Sequence, residues 1–204
     1  MTTTILLIRH GQTDWNKAGR WQGHTDIPLN QTGIAQAEAL AQRLTAWPIS
    51  HLYSSDLKRA AQTASILGEK LSLNPVLHEI WRERDVGLFG GLTSAQVAET
   101  FPDIWTQRTN GILEPPEGER YQAMHQRAGQ ALQQVLGHHN GETVAVVTHG
   151  GLLHALAAHV LGMEPNAYGR ISFRGNTGLT IVEANDDYAT LVLLNDTSHV
   201  AGSK

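Results

Sequence analysis

Two histidines stand at positions where the sequence could use them for chemistry. His10 comes two residues after the apolar run 4–8, and His149 comes two residues after the valine-rich run 143–147; a glycine follows each histidine. Glycine lets a ligand approach the backbone closely, and imidazole serves as a base, nucleophile or metal ligand near neutral pH. We therefore treat both histidines as candidates for one reactive site.

Two arginines are expected beside these histidines. Arg9 directly precedes His10, and Arg59 falls in the first turn of a helix that follows a short strand at 49–53. Ligands of open α/β sheets bind beyond the carboxyl ends of the strands, where helix N-termini add amide donors for an anion. Each residue alone could be structural, but two guanidiniums and two imidazoles at one sheet edge suit a phosphoryl group.

A metal centre is the competing use of the 11 histidines. His149, His154 and His159 are spaced by five residues, which does not place them on one helix face. The pair His138–His139 lies at a predicted helix end with no nearby carboxylate pattern, and HExxH and HxH motifs are absent. We therefore expect no metal ion and no other cofactor.

The composition excludes several classes of protein. The chain has 204 residues, 41% of them hydrophobic, so we expect a single domain with a sizeable core. The absence of cysteine excludes disulfides and thiolate sites, and P-loop, dinucleotide-binding and GxSxG motifs do not occur. The net charge of −4 argues against a nucleic-acid partner.

The N-terminal segment predicts the location of the protein. Residues 1–4 lack a basic region, and the apolar run 5–8 is too short for a signal peptide or a membrane span. We expect a cytoplasmic protein with no membrane partner. The oligomeric state stays open, and a homodimer is possible.

Strand-like and helix-like patterns alternate along the chain, which predicts a three-layer α/β/α sandwich with a mostly parallel sheet. Helical spacing of apolar residues indicates a helix that ends near Gly137. The predicted strands cover 4–8, 49–53 and 143–147, the helices cover 31–47, 57–67, 121–136 and 152–161, and a terminal hairpin covers 179–182 and 188–194.

The stretch 84–119 interrupts this alternation. It is rich in glycine and proline and carries one short predicted helix at 93–100. We interpret it as an insertion over one edge of the sheet and as a candidate lid. Its aromatic residues, and Trp81 before it, either shape the pocket or pack in the core.

Residues 7–16, LIRHGQTDWN, resemble the RHG signature of the histidine phosphatase superfamily, which includes the cofactor-dependent phosphoglycerate mutases. The resemblance continues in four further blocks in the order of the family: GRWQGHTDIPLNQTG at 19–33, SSDLKRAAQTA at 54–64, ERDVGLFGGLT at 83–93 and VVTHGG at 146–151. It covers nearly the whole chain. It implies a phosphoglycerate mutase-like fold and one histidine phosphatase domain over 1–204.

The resemblance also implies roles for individual residues. His10 matches the nucleophile that becomes phosphorylated, and Glu83 matches the carboxylate that acts as acid and base, with Glu79 as a competing choice. Gly87 and the Gly-Leu-Thr that follows favour Glu83. The remaining matches lie in the phosphate pocket: Arg9, Arg59 and His149 as its core, with Asn16, Gln22, Gly23 and Gly150 as further substrate-binding residues.

The chemistry constrains the state of each of these groups. An imidazole that attacks phosphorus must be neutral and held by a hydrogen bond at its other nitrogen. We expect Arg9, Arg59 and a cationic His149 to offset the charge on the transferred group. Glu83 must donate a proton to the leaving oxygen, which requires a raised pKa. This predicts a metal-independent phosphatase.

Two departures from the family pattern bear on the substrate. Phe89-Gly90-Gly91 stands where many relatives have Trp-Glu-Gly, and Arg120 replaces a serine that follows Gly-Glu in many phosphatases. Arg120, Lys17 and Arg20 could each meet a second anionic group or simply face solvent.

The sequence favours a phosphomonoester hydrolase that acts on small phosphorylated metabolites through a phosphohistidine. The short stretch between Glu83 and His149 leaves little material for the closing lid that a mutase requires. The alternatives are a cofactor-dependent phosphoglycerate mutase and an inactive relative that binds phosphorylated ligands or proteins. The intact set of five pocket residues argues against the inactive relative.

Overall fold

The computed structural model describes residues 1–108, 111–164, 170–185 and 187–200. Their strands are β1 (Thr3–Arg9), β2 (Ile49–Ser54), β3 (Val76–Leu77), β4 (Thr143–Thr148), β5 (Leu179–Ala184) and β6 (Ala189–Asp196). They form one sheet in the order β3-β2-β4-β1-β5-β6. Strands β1 to β4 run parallel, and β5 is antiparallel to both of its neighbours, β1 and β6.

Helices cover both faces of this sheet, as predicted for a three-layer sandwich. Side chains of one strand alternate between the two faces. On β1, Ile5 and Leu7 join the core under the helices of residues 121–138 and 150–160, while Leu6 and Ile8 join the core under the helices of residues 31–44 and 58–71. The α-helices are α1 (Asp14–Lys17), α2 (Gln31–Leu44), α3 (Lys58–Leu71), α4 (Ser94–Thr100), α5 (Pro102–Thr106), α6 (Tyr121–His138) and α7 (Gly150–Val160).

The pairing of β1 with β4 brings the two candidate histidines together. The two strands are parallel, and Arg9 is the register partner of Thr148. His10 and His149 are therefore the first residues after two neighbouring strand ends. Both apolar runs are buried on both faces of the sheet, as is typical of central parallel strands, and the polar residues that follow them therefore begin at the same edge of the sheet.

Several predicted boundaries are wrong. The second helix ends at Leu44 and leaves Trp47 outside it. Helix α3 extends to Leu71, four residues beyond its predicted end at 67, whereas α6 ends at His138, within one residue of the predicted end near Gly137. Helix α1 has only four residues and is held by a capping box between Thr13 and Asn16, so no apolar periodicity could show it.

The described part of the segment 84–119 packs around a small core of its own. Val86, Phe89, Val97 and Leu113 are buried together there. Trp81 is buried in the core under α6 and α7 instead. The aromatic residues of this region therefore serve packing more than they shape a pocket. In the described residues, no helix combines the length and the apolar character needed to cross a membrane.

Candidate active site

A cavity of about 340 Å³ opens at the carboxyl ends of the parallel strands. Its walls contain eight of the nine predicted site residues, and the ninth, His149, has its ring centroid 5.1 Å from that of His10. The structure thus brings the whole predicted set together. The eight are Arg9, His10, Asn16, Gln22, Gly23, Arg59, Glu83 and Gly150.

His10 is held in the form that a nucleophile needs. Its Nδ1 lies 2.7 Å from the carbonyl oxygen of Gly11. Because a carbonyl can only accept, Nδ1 carries the proton and Nε2 keeps its lone pair. Burial, followed by the charges of Arg59 and Arg9, lowers the pKa of His10 well below its usual value. The imidazole is therefore neutral near pH 7.

His149 is oriented by Arg59. The Arg59 Nε donates to His149 Nδ1 over 3.2 Å, so the proton of the neutral ring must sit on Nε2. That Nε2 is buried and has no hydrogen-bond partner among the described residues. It is a donor available to a ligand of the cavity.

The expectation of a cationic His149 is wrong. Burial is the largest cause that lowers the pKa of His149 well below its usual value, and the charge of Arg59 is the next. The hydrogen bond at Nδ1 also requires a lone pair there, which the doubly protonated ring lacks. His149 therefore offers a neutral N–H, and the positive charge of the site comes from the arginines.

Arg59 is fully buried, and three carbonyl or imidazole acceptors hold it in place. Its Nη1 donates to Thr25 O over 2.9 Å and its Nη2 donates to Gly23 O over 2.7 Å. Burial lowers the pKa of Arg59 to about 10, which leaves the guanidinium charged at neutral pH. A fixed, buried cation of this kind is an anion-binding group with little reorganisation to perform.

Arg9 is held from the opposite side of the cavity. Its Nη1 donates to the carbonyl oxygens of Gly175 and Phe173, over 2.9 and 3.3 Å. At Gly150, the first residue of α7, a Cβ would come 3.5 Å from Arg9 Nε. The helix N-terminus therefore lies against this guanidinium and adds backbone N–H groups to the pocket.

Asn16 and Gln22 turn their oxygens into the protein. Asn16 Oδ1 accepts from Thr13 N and from Asn176 Nδ2, over 3.1 and 3.2 Å, and Gln22 Oε1 accepts from Thr13 Oγ1 over 3.0 Å. The amide N–H groups of both side chains are thereby left for a ligand. This is the polarity that a phosphate oxygen requires.

Asn176 is a site residue that the sequence reasoning missed. Its Nδ2 also donates to the His10 carbonyl oxygen over 3.0 Å, so one side chain braces both the nucleophile and Asn16. The one sequence feature that could have indicated this residue is the polar segment RGNTG at 174–178, which contains it. No strand pattern points to that segment, because residues 171–173 directly before it form neither a helix nor a strand.

Glu83, rather than Glu79, faces the cavity. Its Oε2 accepts from Gly151 N over 3.0 Å and its Oε1 accepts from Arg84 N over 2.8 Å. A Cβ at residue 151 would come 2.3 Å from Glu83 Oε1, so any larger residue there would force the carboxylate to move. Glu79 instead lies outside the cavity with its side chain 73% exposed, 3.8 Å from Arg82. The geometry decides between the two carboxylates.

The loop that carries Glu83 is fixed from behind by Arg127 of α6, another residue that the sequence reasoning missed. Arg127 Nη1 donates to the carbonyl oxygens of Ile80 and Arg82, over 2.9 and 2.8 Å. The same guanidinium makes a two-point ion pair with Glu119. His24, a bystander by sequence, contacts the Glu83 carbonyl oxygen through Nε2 at 2.8 Å.

The far wall of the cavity is mostly apolar and comes from distant parts of the chain. Arg20 lines the cavity, whereas Lys17, Arg108 and Arg120 lie outside the walls formed by the described residues. Arg84 also lines it, but Glu114 and two carbonyl groups hold its guanidinium. The remaining side chains of this wall are Trp21, Val86, Ser94, Ile112, Leu113, Tyr121, Met124, His154 and Phe173.

The prediction that His138–His139 has no carboxylate nearby is wrong. Glu142 Oε2 lies 2.9 Å from His139 Nδ1. The turn after α6 brings the two side chains together, a contact that sequence spacing alone did not reveal.

The chain is similar in sequence to a family of known proteins. The profile of the histidine phosphatase superfamily (branch 1) matches residues 5–197. A metal-independent phosphoserine phosphatase of Arabidopsis thaliana is 35% identical over 98% of this chain and 84% of its own length. Phosphoglycerate mutase-like protein 4 of the same plant is 36% identical over 96% of this chain and 86% of its own length.

Solved structures agree with the fold. Bacillus stearothermophilus YhfR superposes with a TM-score of 0.89 at 32% identity, over 97% of this chain and 99% of its own. The chain therefore belongs to the histidine phosphatase superfamily. The predicted fold and the predicted enzyme class, a histidine-type phosphatase, are confirmed.

Proposed function

We propose that this enzyme hydrolyses small phosphomonoesters through a phosphorylated His10, with Glu83 as the proton carrier. One observation carries the proposal: a neutral, buried imidazole whose Nδ1 is tied to Gly11 O keeps its Nε2 lone pair beside two fixed arginines. A nucleophile and an anion-binding cradle are thus ready in one cavity.

The first step transfers the phosphoryl group to the protein. His10 Nε2 forms a bond to phosphorus while the bond between phosphorus and the alcohol oxygen breaks. Arg9, Arg59 and the His149 Nε2–H stabilise the charge on the non-bridging oxygens. Protonated Glu83 gives its proton to the leaving oxygen, which departs as an alcohol.

The second step returns the histidine to its starting state. Ionised Glu83 takes a proton from water as the water oxygen attacks phosphorus, and the bond between phosphorus and Nε2 breaks. Inorganic phosphate leaves, Glu83 is protonated again, and His10 is neutral. The same positive groups act in both steps, since the transferred group carries similar charge each time.

The substrate class follows from the size and character of the cavity. A volume of about 340 Å³ holds a small metabolite. The apolar far wall, with Ile112, Met124 and Phe173, suits a short carbon skeleton, and Arg20 at the wall can meet a carboxylate. The relative named phosphoserine phosphatase supports a phosphorylated hydroxy or amino acid of this size.

A phosphoglycerate mutase activity is the second candidate. It is supported by a relative named phosphoglycerate mutase-like, and both reactions begin with the same phosphohistidine. They differ in whether water or a second hydroxyl of the substrate takes the phosphoryl group. The two candidates therefore share every residue of the cradle and differ in the exclusion of water.

One experiment separates these functions. The purified protein is incubated with phosphoserine and with 3-phosphoglycerate, with and without 2,3-bisphosphoglycerate, while released phosphate and isomerised product are measured. We expect phosphate release from phosphoserine. Isomerisation without release would replace hydrolysis by mutase activity, and neither product from any phosphomonoester tested would favour a phospho-ligand or protein-binding role.

The segment 84–119 as a lid, the cytoplasmic location and the possible homodimer stay predictions. Support for the lid is that Val86, Leu113 and other residues of this segment form part of the cavity wall. Size-exclusion chromatography with light scattering measures the oligomeric state directly.

A further inference from the structure

Three side chains of metal-binding type meet at the end of the sheet opposite the cavity. His51 lies on β2, His139 caps the C-terminus of α6, and Glu142 directly precedes β4. Strands β2 and β4 are hydrogen-bonded neighbours, and His51 is the register partner of Val144. The length of β4, roughly 17 Å at 3.3 Å per residue, separates this cluster from His149.

The donor atoms of the cluster have the spacing of a metal site. Glu142 Oε2 lies 3.0 Å from His51 Nδ1 and 2.9 Å from His139 Nδ1, and one ligand atom from each residue lies within 4.8 Å of the others. Tetrahedral zinc with bonds near 2.0–2.1 Å needs ligand atoms about 3.3 Å apart. A small outward movement of the half-exposed His51 and Glu142 side chains provides this spacing.

His139 is oriented by its surroundings as a metal-ligating histidine is. Its ring is buried, and its Nε2 lies 2.8 Å from the Tyr53 hydroxyl, which can accept the Nε2 proton. Without an ion, His139 Nδ1–H donates to Glu142 Oε2; an ion bound at Nδ1 displaces that proton, and the ring then carries its proton on Nε2, toward the Tyr53 hydroxyl. Metal-ligating histidines commonly donate their second ring N–H to such a partner.

The Thr3 side chain fixes the turn that holds the cluster. Thr3 Oγ1 donates to the His139 carbonyl oxygen over 2.7 Å and accepts from Gly141 N over 3.0 Å. Ser50 Oγ lies 3.0 Å from His51 Nδ1 and is a further oxygen at the edge of the cluster. The three donors are therefore positioned by three separate elements that already pack together.

We propose that His51, His139 and Glu142 bind a divalent transition-metal ion, with zinc as the best match. Two imidazoles and a carboxylate are the donor set that zinc accepts, whereas magnesium and calcium prefer oxygen ligands alone. Water or the Ser50 hydroxyl completes the coordination. The ion joins β2 to the turn between α6 and β4 and stabilises the folded chain by binding to it.

The proposal is tested by titrating the full chain, stripped of metal with EDTA, with Zn²⁺ in a calorimeter. The unmodified protein binds one Zn²⁺ at this site and melts at a higher temperature in its presence. His51→Ala and Glu142→Gln, both at half-exposed positions, lower the affinity by more than about tenfold, and Tyr53→Phe lowers it by about tenfold.

His138→Ala is the matched control, because this neighbouring exposed histidine bonds to Gln134 O and not to the cluster. Its affinity for Zn²⁺ stays that of the unmodified protein. Titration with Co²⁺ adds a spectroscopic signature, since visible bands of a tetrahedral site should vanish in His51→Ala. Zinc binding that survives His51→Ala, or that falls equally in His138→Ala, would overturn the proposal whatever the phosphatase activity.

Discussion

The two ends of the sheet each hold a pair of histidines, and the pairs are set for opposite ligands. The ring centroids of His10 and His149 are 5.1 Å apart, and those of His51 and His139 are 4.2 Å apart. The first pair is fully enclosed at the carboxyl ends of the strands, and the second is partly open at the amino ends. The distance between the two rings is similar in both pairs, so it does not determine which ligand each pair suits.

The charge placed beside each pair makes the difference. Arg9 and Arg59 accompany the first pair, and burial together with these cations keeps both rings neutral. Glu142 accompanies the second pair and is hydrogen-bonded to His139. Cations beside neutral imidazoles suit an anionic phosphoryl group, and a carboxylate beside imidazoles suits a cation. The charged neighbours of each histidine pair therefore determine whether the pair suits an anion or a cation.

The largest effect is expected from removal of the nucleophile. His10→Ala should lower kcat by about 10⁴-fold or more, as for other covalent nucleophiles, and should abolish the phosphorylated protein in mass spectra. His51→Ala should leave kcat unchanged, because it lies at the opposite end of the sheet. A phosphorylated His10→Ala protein would show that another group attacks phosphorus.

Substitution of Glu83, at the cavity, and of Glu142, at the opposite end of the sheet, should have very different effects on kcat. Glu83→Gln should lower kcat by about 10²- to 10⁴-fold, the usual contribution of a general acid. The loss should be smaller with p-nitrophenyl phosphate, whose leaving group needs little proton donation. Glu142→Gln should leave kcat unchanged. Glu79→Gln is a second control, and a larger loss there than in Glu83→Gln would reverse the assignment of the acid.

Acid should destabilise the folded protein through the buried histidines at the cavity. Burial first, then charge, lowers the pKa of His10, His149 and His154, the last to about 4. In the unfolded chain these residues bind protons near pH 6.5, so below that pH the unfolded state holds more protons. The contribution of these neutral histidines to the free energy of unfolding is therefore complete above pH 6.5, and it is lost progressively as the pH falls below that value.

Below pH 6.5, the free energy of unfolding should fall by about 1.4 kcal/mol per pH unit for each histidine that stays neutral in the folded protein. Urea unfolding at pH 7, 6 and 5 measures it. His154→Gln removes one of the three groups and should flatten the dependence by one proton. An unchanged slope in that variant would contradict the assignment of a buried, neutral His154.

Removal of metal ions should have the smallest effect on kcat. EDTA should lower the melting temperature of the zinc-loaded protein, because the ion at His51 and His139 is lost. It should leave kcat unchanged, since arginines balance the charge of the phosphoryl group. Strong inhibition of phosphate release by EDTA would place a metal ion in the phosphate chemistry and break the division between the two ends.

Much of the site could be predicted from local sequence. The runs that precede His10 and His149 are apolar without interruption, which fixes two buried strands, and buried parallel strands end at one edge of a sheet. The ends of the helices were predicted less accurately: the helix predicted over 31–47 ends at Leu44.

The amino-acid sequence by itself determined the alternation of strands and helices, the edge at which His10, Arg9, Arg59 and His149 meet, and the family. These depend on periodicity and on motifs within a few residues. Only the tertiary structure decided that Glu83 and not Glu79 faces the cavity, that His149 is neutral, and that His139 meets Glu142 and His51. Proton positions and donor spacing depend on burial and on contacts between distant segments, which no local pattern records.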